Sequence, residues 1–332
     1  MKNFRCRPGR WAGCPPSGRA YKYGRTLLVC FVALPLVAQT PTFPTPPPAD
    51  PDDLFRIGKQ LFDQLAPDEI KAQYDFPSKE QWDAFAARLQ HALESEDLSA
   101  LAGYVDEGRA ALTALRTIQG YEDYADWLEQ RLDEISVARE VTAPPGPTVK
   151  PLPKPPLSAV PYYELWRARV KSRPLPVGAA ALMPRLRAAF SAEGAPPELA
   201  WIAEAESSLN PAARSPAGAK GLFQFMPDTA KGLGLSTFLP DDRSDPEKSA
   251  HAAARYLKAL HSRFGSWPLA LAAYNAGEGR VARELADRHA RDFAGIAGAL
   301  PAETRMYVPK VLALVSERAG IAPERISAPR TE

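Results

Sequence analysis

Glu198, Glu204 and Glu206 lie in one short apolar stretch of the chain, and helical phase separates them. Leu199, Ile202, Glu206 and Leu209 recur at i, i+3, i+7 and i+10, which is a single stripe of a helix. Glu204 lies two residues from Glu206, hence roughly 200° round the helix, and Glu198 falls at the exposed start. The phase therefore predicts that Glu206 faces the core or a cleft. Desolvation there disfavours the anion, so the carboxyl keeps its proton near neutral pH and can act as a general acid. A structural carboxylate satisfied by Arg214 or by backbone amides is equally compatible with the spacing. The segment that follows, Ser215–Pro227, is a small-residue loop running into the amide-bearing turn GLFQFMP. Glycines in such a loop let an extended polar ligand approach the backbone closely. An acid beside such a loop suits cleavage of a carbohydrate.

The elements that must position these residues read as helices. Pro196-Pro197-Glu198 starts a helix that runs to Asn210-Pro211, with proline in the first turn and an acid at the positive end of the dipole. Asp245 is placed to cap a second, which continues to Gly265. Trp267–Asn275 is a third, ended by Gly277 and Gly279, and Arg305–Ala319 is the last. Strands are hardly signalled apart from a short one around Phe223–Met226. Upstream, apolar residues recur at helical spacing in Leu54, Ile57, Leu61, Leu65; in Trp82, Phe85, Leu89, Leu93; and in Tyr121, Tyr124, Leu128, Leu132, Ile135. Three to five helices of a small acidic bundle follow from this, with the aromatics as core and no recognisable chemistry. The fold class is mainly α.

Three ordered blocks carry a family resemblance. ESSLNPAARSPAGAKGLFQFMPDTAKGLGL begins at Glu206, SDPEKSAHAAARYLKALHSRFGSWPLALAAYNAGEGRV covers 244–281, and LPAETRMYVPKVLAL covers 300–314. Together they strongly resemble lytic murein transglycosylases of the soluble-lytic and membrane-bound D types, over residues 190 to 318 and not over 40–161. The resemblance implies a goose-lysozyme-like helical domain. It places that family's catalytic glutamate on Glu206, which would protonate the glycosidic oxygen between N-acetylmuramic acid and N-acetylglucosamine and then take the proton of the muramyl 6-hydroxyl. A 1,6-anhydro end would form without water. It further implies that Ser215 contacts the sugar N-acetyl region and that Gln224 hydrogen-bonds substrate. Met226 would form an apolar floor, Asn275 would position the acetamido group, and the Tyr307 hydroxyl would face the acid. Tyr274 is a candidate stacking platform, with packed helix surface as its alternative. Ordinary glycosidases need a second carboxylate; here the substrate's own N-acetyl group and hydroxyl would take that part.

Composition narrows the alternatives. Residues 1–25 carry seven Lys/Arg and no acid, residues 26–161 carry 11 basic and 21 acidic residues, and residues 162–332 carry 23 basic and 18 acidic. The surplus of five positive charges in the last segment is too small to call for nucleic acid. The apolar run Thr26–Ala38 after a basic stretch is too short to span a bilayer and reads as an export signal. All three cysteines (Cys6, Cys14, Cys30) fall within that signal, which removes disulfides, cysteine metal sites and cysteine nucleophiles from the mature chain. Asp228 reads as a helix cap, and Asp241, Asp242, Asp245 and Glu247 as a loop ending in a cap; no metal and no cofactor are expected. The four histidines form no HExxH pair, and no GxSxG elbow exists. The expected organisation is a signal over 1–39, a proline-rich spacer over 40–51, an acidic helical domain over 52–141, a linker with eight prolines over 142–161 and a lysozyme-like catalytic domain over 162–332. The chain would be exported to the periplasm or envelope and act on peptidoglycan glycan strands, with an envelope protein partner docking through 52–141. Against this stand a hydrolytic muramidase on the same fold and a non-catalytic wall-binding protein.

Overall fold

The structure is a computed structural model, and it describes residues 91–116, 122–143, 160–215 and 217–330. All of these belong to one compact unit, Pro46–Glu332. The expected signal, the spacer, most of the linker and the apolar sets built on Leu54–Leu65 and Trp82–Leu89 lie outside the described residues. Among the described residues no helix is long and apolar enough to cross a membrane.

Twelve helices are described: α1 Leu98–Ala102, α2 Val105–Arg116, α3 Glu122–Thr142, α4 Tyr163–Lys171, α5 Ala179–Ala192, α6 Ile202–Ser207, α7 Pro227–Gly232, α8 Pro246–Phe264, α9 Trp267–Ala276, α10 Glu278–Asp287, α11 Phe293–Ala297 and α12 Ala302–Ala319. The described residues are mainly α, as the spacing predicts. Extended backbone pairs there only in isolated bridges, Arg214 with Lys220 and Lys220 with Phe225. The strand expected at Phe223–Met226 is thus a bridged turn. Gln224 at φ 47° and Gly221 at φ 81° bend the backbone away from any longer ladder.

The packing is centred on α12, which touches α3, α4, α6 and α9. Its residues from Met306 to Val315 are all buried. A helix apolar on every face is one surrounded by others, and each of its valines and leucines contributes about 1.5–3 kcal/mol by leaving water. The α9 helix, WPLALAAYNA, is buried in the same way from Leu269 to Ala273. The α8 helix begins as expected: the Asp245 carboxylate accepts from the Glu247 and Lys248 amides at 2.9 Å each. It ends at Gly265, φ 74°. Its alanines at 250 and 252–254 are buried; α8 packs against α5 and α9.

Several expectations fail, each for a local reason. The single helix expected from Glu198 to Leu209 is a 3-10 turn, Pro197–Trp201, followed by the six-residue α6. Ser208 (φ 51°) and Leu209 (φ 63°) are both left-handed and terminate it, with the Leu209 amide reaching back to the Ala203 carbonyl. Glu198, expected in solvent, is 6% exposed. Gly279 ends no helix but lies inside α10. Asp228 caps nothing: its side chain is fully out in solvent, 3.5 Å from Lys231.

Candidate active site

Helix α6 presents its two glutamates to different neighbours. The Glu204 carboxylate is 8% exposed and takes two hydrogen bonds from Arg318, at 2.7 and 3.0 Å. It is the buried partner of an ion pair. Among the described residues no cation lies within bonding distance of Glu206. Its Oε1 accepts a hydrogen bond from the Tyr307 hydroxyl on α12. The residue as a whole is only partly buried.

The protonation of Glu206 follows from this setting. Desolvation pushes its carboxyl up to about 7, although the Tyr307 hydrogen bond and the charges of Arg131 and Lys310 pull the other way. The nearby charge of Glu303 adds to the rise. A carboxyl titrating near 7 is matched to proton transfer in both directions at neutral pH. Burial and the charge of Glu206 push the Tyr307 hydroxyl well above its ordinary range, so it stays a donor.

The loop after α6 is tied back onto it. The Ser207 hydroxyl, buried, bonds the Ala203 carbonyl (3.1 Å) and the Leu222 carbonyl (3.0 Å). Gly221 admits no side chain, because a Cβ would sit 1.8 Å from the Arg243 carbonyl oxygen. The Arg243 guanidinium bonds the carbonyls of Gly218 (3.0 Å) and Phe225 (3.1 Å) and is held by the Asp241 carboxylate at 2.9 and 3.0 Å. Burial opposes ionisation of Asp241, but bonds from Arg243 and Lys220 outweigh it and hold the carboxyl near 2. Arg243 is therefore a permanent clamp on the loop. Sequence reading passed over it, since a single arginine in a polar loop gives no periodic signal.

The residues singled out from the sequence take up the following places. Ser215 closes its own small turn: its hydroxyl oxygen accepts from the Ala219 amide at 3.0 Å. The Gln224 side-chain nitrogen donates to the carbonyls of Gly221 (2.9 Å) and Ala213 (3.3 Å), so that group is engaged by the loop. Met226 is 42% exposed, an apolar surface at the start of α7 and not part of the core. Tyr274 donates to the Phe223 carbonyl at 2.8 Å and packs against Tyr256 and Phe225. Its hydroxyl is pushed well up, first by burial and then by the charge of Glu206. Asn275 donates to the Glu303 carboxylate (3.2 Å) and accepts from the Thr304 hydroxyl (2.7 Å). Glu206, Tyr307 and Tyr274 thus form one group, joined through Glu303 to Asn275; Gln224 and Ser215 shape the loop beside it. A recess lined by Met183, Arg187 and Trp201 shares no residue with this group.

The site also holds residues that sequence reading did not find. Arg131 on α3 is 2.6 Å from Glu303 and 3.0 Å from Glu134, and Lys310 on α12 is 2.9 Å from Glu134. Burial opposes ionisation of Glu134, yet Lys310 and Arg131 outweigh it and hold the carboxyl below its usual range. Burial likewise opposes the charge on Arg131, but Glu303 and Glu134 raise its affinity for the proton. In the orientation that satisfies its neighbours, the Gln130 amide donates to the main-chain carbonyls of Glu206 and Ala205, at 3.0 Å each, and accepts from the Ser208 amide at 3.2 Å. No periodicity links α3 to residues 170 positions downstream, so only the fold reveals the contact.

Comparison with known proteins agrees with the motifs. The Transglycosylase SLT domain matches residues 186–296. The membrane-bound lytic murein transglycosylase D of Escherichia coli K12 is 42% identical over 125 residues, which is 36% of this chain and 27% of the relative. The soluble lytic murein transglycosylase of Salmonella typhimurium is 40% identical over 120 residues, 34% of this chain and 19% of the relative. The chain thus spans about a quarter or less of the lengths of these curated relatives. The solved 70 kDa soluble lytic transglycosylase of Escherichia coli covers 84% of this chain and is itself covered to 59%, at 20% identity and a TM-score of 0.39, too loose a superposition to carry an argument. Residues 186–296 carry the sequence pattern of the Transglycosylase SLT domain, and the family resemblance read from the motifs of this chain is borne out over that segment.

Proposed function

We propose that this chain is an exported lytic transglycosylase with a lysozyme-like helical catalytic domain, which cleaves the β-1,4 bond between N-acetylmuramic acid and N-acetylglucosamine in peptidoglycan. The observation that carries the reading is the state of Glu206: a carboxyl raised to about 7, with one oxygen fixed by Tyr307. We assign the proton to the other oxygen. Glu206 donates that proton to the glycosidic oxygen as the bond from this oxygen to the muramyl C1 breaks. The substrate N-acetyl group, positioned with the help of Asn275 and Ser215, supports the positive charge developing at C1. The muramyl 6-hydroxyl oxygen then bonds to C1, and its proton returns to Glu206. No water is consumed, the product ends in a 1,6-anhydro ring, and the carboxyl is ready for the next turn.

A single carboxylate fits the neighbourhood. Glu303, the other acid whose charge acts on Glu206, is bonded to Arg131 and Asn275. Its Oε1 is committed to those two partners, which favours the substrate's own hydroxyl over an activated water as the nucleophile. Gln224 and Met226 belong to the loop that follows the acid, and Tyr274 is bonded to the Phe223 carbonyl of that loop. The relatives are lytic murein transglycosylases by name, which supports peptidoglycan as the substrate class. An export signal over 1–39 and an envelope location belong to the same proposal, supported by the charge and hydropathy of the first forty residues. The domain boundaries, and an envelope partner docking through 52–141, rest on composition.

Digestion of purified sacculi followed by mass spectrometry tests the reading. The expected products carry 1,6-anhydro-muramyl ends and are absent with Glu206→Gln. Reducing muramyl ends would assign the site to hydrolysis, and undiminished release by Glu206→Gln would remove Glu206 from the chemistry.

A further inference from the structure

The matched family segment stops at residue 296 and begins at 186, yet the Glu206 group is completed from upstream. Arg131 and Glu134 stand one helical turn apart on α3, on the face turned toward α6 and α12, which pack against it. From Lys310 a continuous chain of short contacts runs to Glu134 (2.9 Å), to Arg131 (3.0 Å), to Glu303 (2.6 Å), to Asn275 (3.2 Å) and to Thr304 (2.7 Å). Four of these groups are ionised: Lys310 and Arg131 positive, Glu134 and Glu303 negative. The cluster pairs two cations with two carboxylates, and its buried members Glu134 and Lys310 would be costly to leave unpaired. One residue earlier on the same helix, Gln130 satisfies the last carbonyls of α6, which a short helix otherwise leaves unmade.

We propose that Arg131 is a positioning residue of this site: it fixes Glu303 against Asn275 and places a permanent positive charge beside the catalytic-type carboxyl of Glu206, making α3 a working part of the active site. The proposal deepens the transglycosylase reading and rests on it for its rate predictions, but not for its titration. The groups facing Glu206 are Tyr307, Glu303 and Lys310 from α12, Arg131 from α3 and Tyr274 from α9. Glu303 holds the proton on Glu206, whereas Arg131 and Lys310 help release it. Because Arg131 bonds Glu303, it screens that repulsion and adds its own attraction. Loss of its charge therefore moves the Glu206 titration in one direction only, upward. This gives the acidic helix a second role besides packing: it tunes the carboxyl that must both give and take a proton.

The test is a titration of Glu206 in the full chain by carbon-13 NMR of labelled glutamate carboxyls, its signal assigned by its loss in Glu206→Gln. A sacculus-digestion rate profile against pH accompanies it. Wild type is expected to titrate at about 7, and Arg131→Gln about half a pH unit or more higher. The alkaline limb of the rate profile should move by the same amount, and the maximal rate should fall about tenfold through misplacement of Asn275. Arg131→Lys keeps the charge but cannot fork between two carboxylates; its titration should stay near that of wild type while its maximal rate falls. Should Arg131→Gln fail to fold, the charge-balanced double Arg131→Gln/Glu134→Gln carries the same upward expectation. A folded Arg131→Gln or double variant whose Glu206 titrates as in wild type overturns the proposal. A wild-type chain that shows the expected titrations but releases nothing from sacculi would instead overturn the transglycosylase reading and leave the positioning role standing.

Discussion

Glu134 and Glu206 are two carboxylates in one part of the molecule, both withdrawn from water and both within the influence of Arg131 and Lys310. They end in opposite states. Glu134 touches both cations, at 3.0 and 2.9 Å, and is held ionised below its usual range. Glu206 feels the same cations only at a remove and touches a phenol instead, so burial wins and its carboxyl rises to about 7. The difference lies in direct contact: burial opposes ionisation of both carboxyls, and only at contact distance does the Coulomb and hydrogen-bond gain, which falls steeply with distance, exceed that cost. One residue is thereby a strut, and the other is the carboxyl to which we assign the proton transfer.

Breaking each side of this comparison should give effects of different kind and size. The largest is expected at Glu206: Glu206→Gln should lower the rate of sacculus cleavage about 10³-fold or more while leaving the circular dichroism of the folded chain intact. On the strut side, Lys310→Met leaves Glu134 with only one cation and should cost about 3 kcal/mol in denaturant unfolding. Adding Glu134→Gln to it should recover much of that loss; no recovery would mean that Lys310 acts through the Trp166 ring, whose centroid is 5.7 Å from its Nζ, and not through Glu134.

Glu206 should also carry a stability signature of its own. A carboxyl whose folded value is raised from 4.5 to about 7 binds more protons folded than unfolded between those pH values, so wild type loses stability as pH rises through that window. Glu206→Gln removes the loss and should be more stable than wild type by about 1–2 kcal/mol above pH 7, with the two curves converging below pH 4.5. Parallel unfolding curves at all pH values would deny the raised carboxyl. The smallest effect is expected from Tyr307→Phe. Its hydroxyl pulls the Glu206 carboxyl down, so its loss should shift the alkaline limb of activity upward and reduce the rate about tenfold.

Legibility in the sequence was uneven along the site. The stripe of Leu199, Ile202 and Leu209 is buried as the spacing predicts, although the helix behind it is broken into a 3-10 turn and six α residues. Helical phase singled out Glu206 and set Glu204 on the other side of the helix, but it carried no sign that this side is buried too. Glu204 is buried because Arg318, more than a hundred residues later, neutralises it. Asp245 as a cap was legible because capping is local: the carboxylate bonds amides two and three residues away. Asp228 misled because a proline-led helix start looks the same whether or not the acid folds back onto it.

The sequence by itself determined the helices, the loop chemistry of residues 215–227 and the ordered motifs that point to Glu206, because turns, caps and amphipathic stripes are set within a few residues. Only the tertiary structure decided which carboxylate touches a cation. It brings Arg131 and Glu134 from α3 beside Lys310, Glu303 and Tyr307 of α12. Contacts of that span leave no period in the chain, and at such short range a shift of one helical turn separates an ionised strut from a protonated acid.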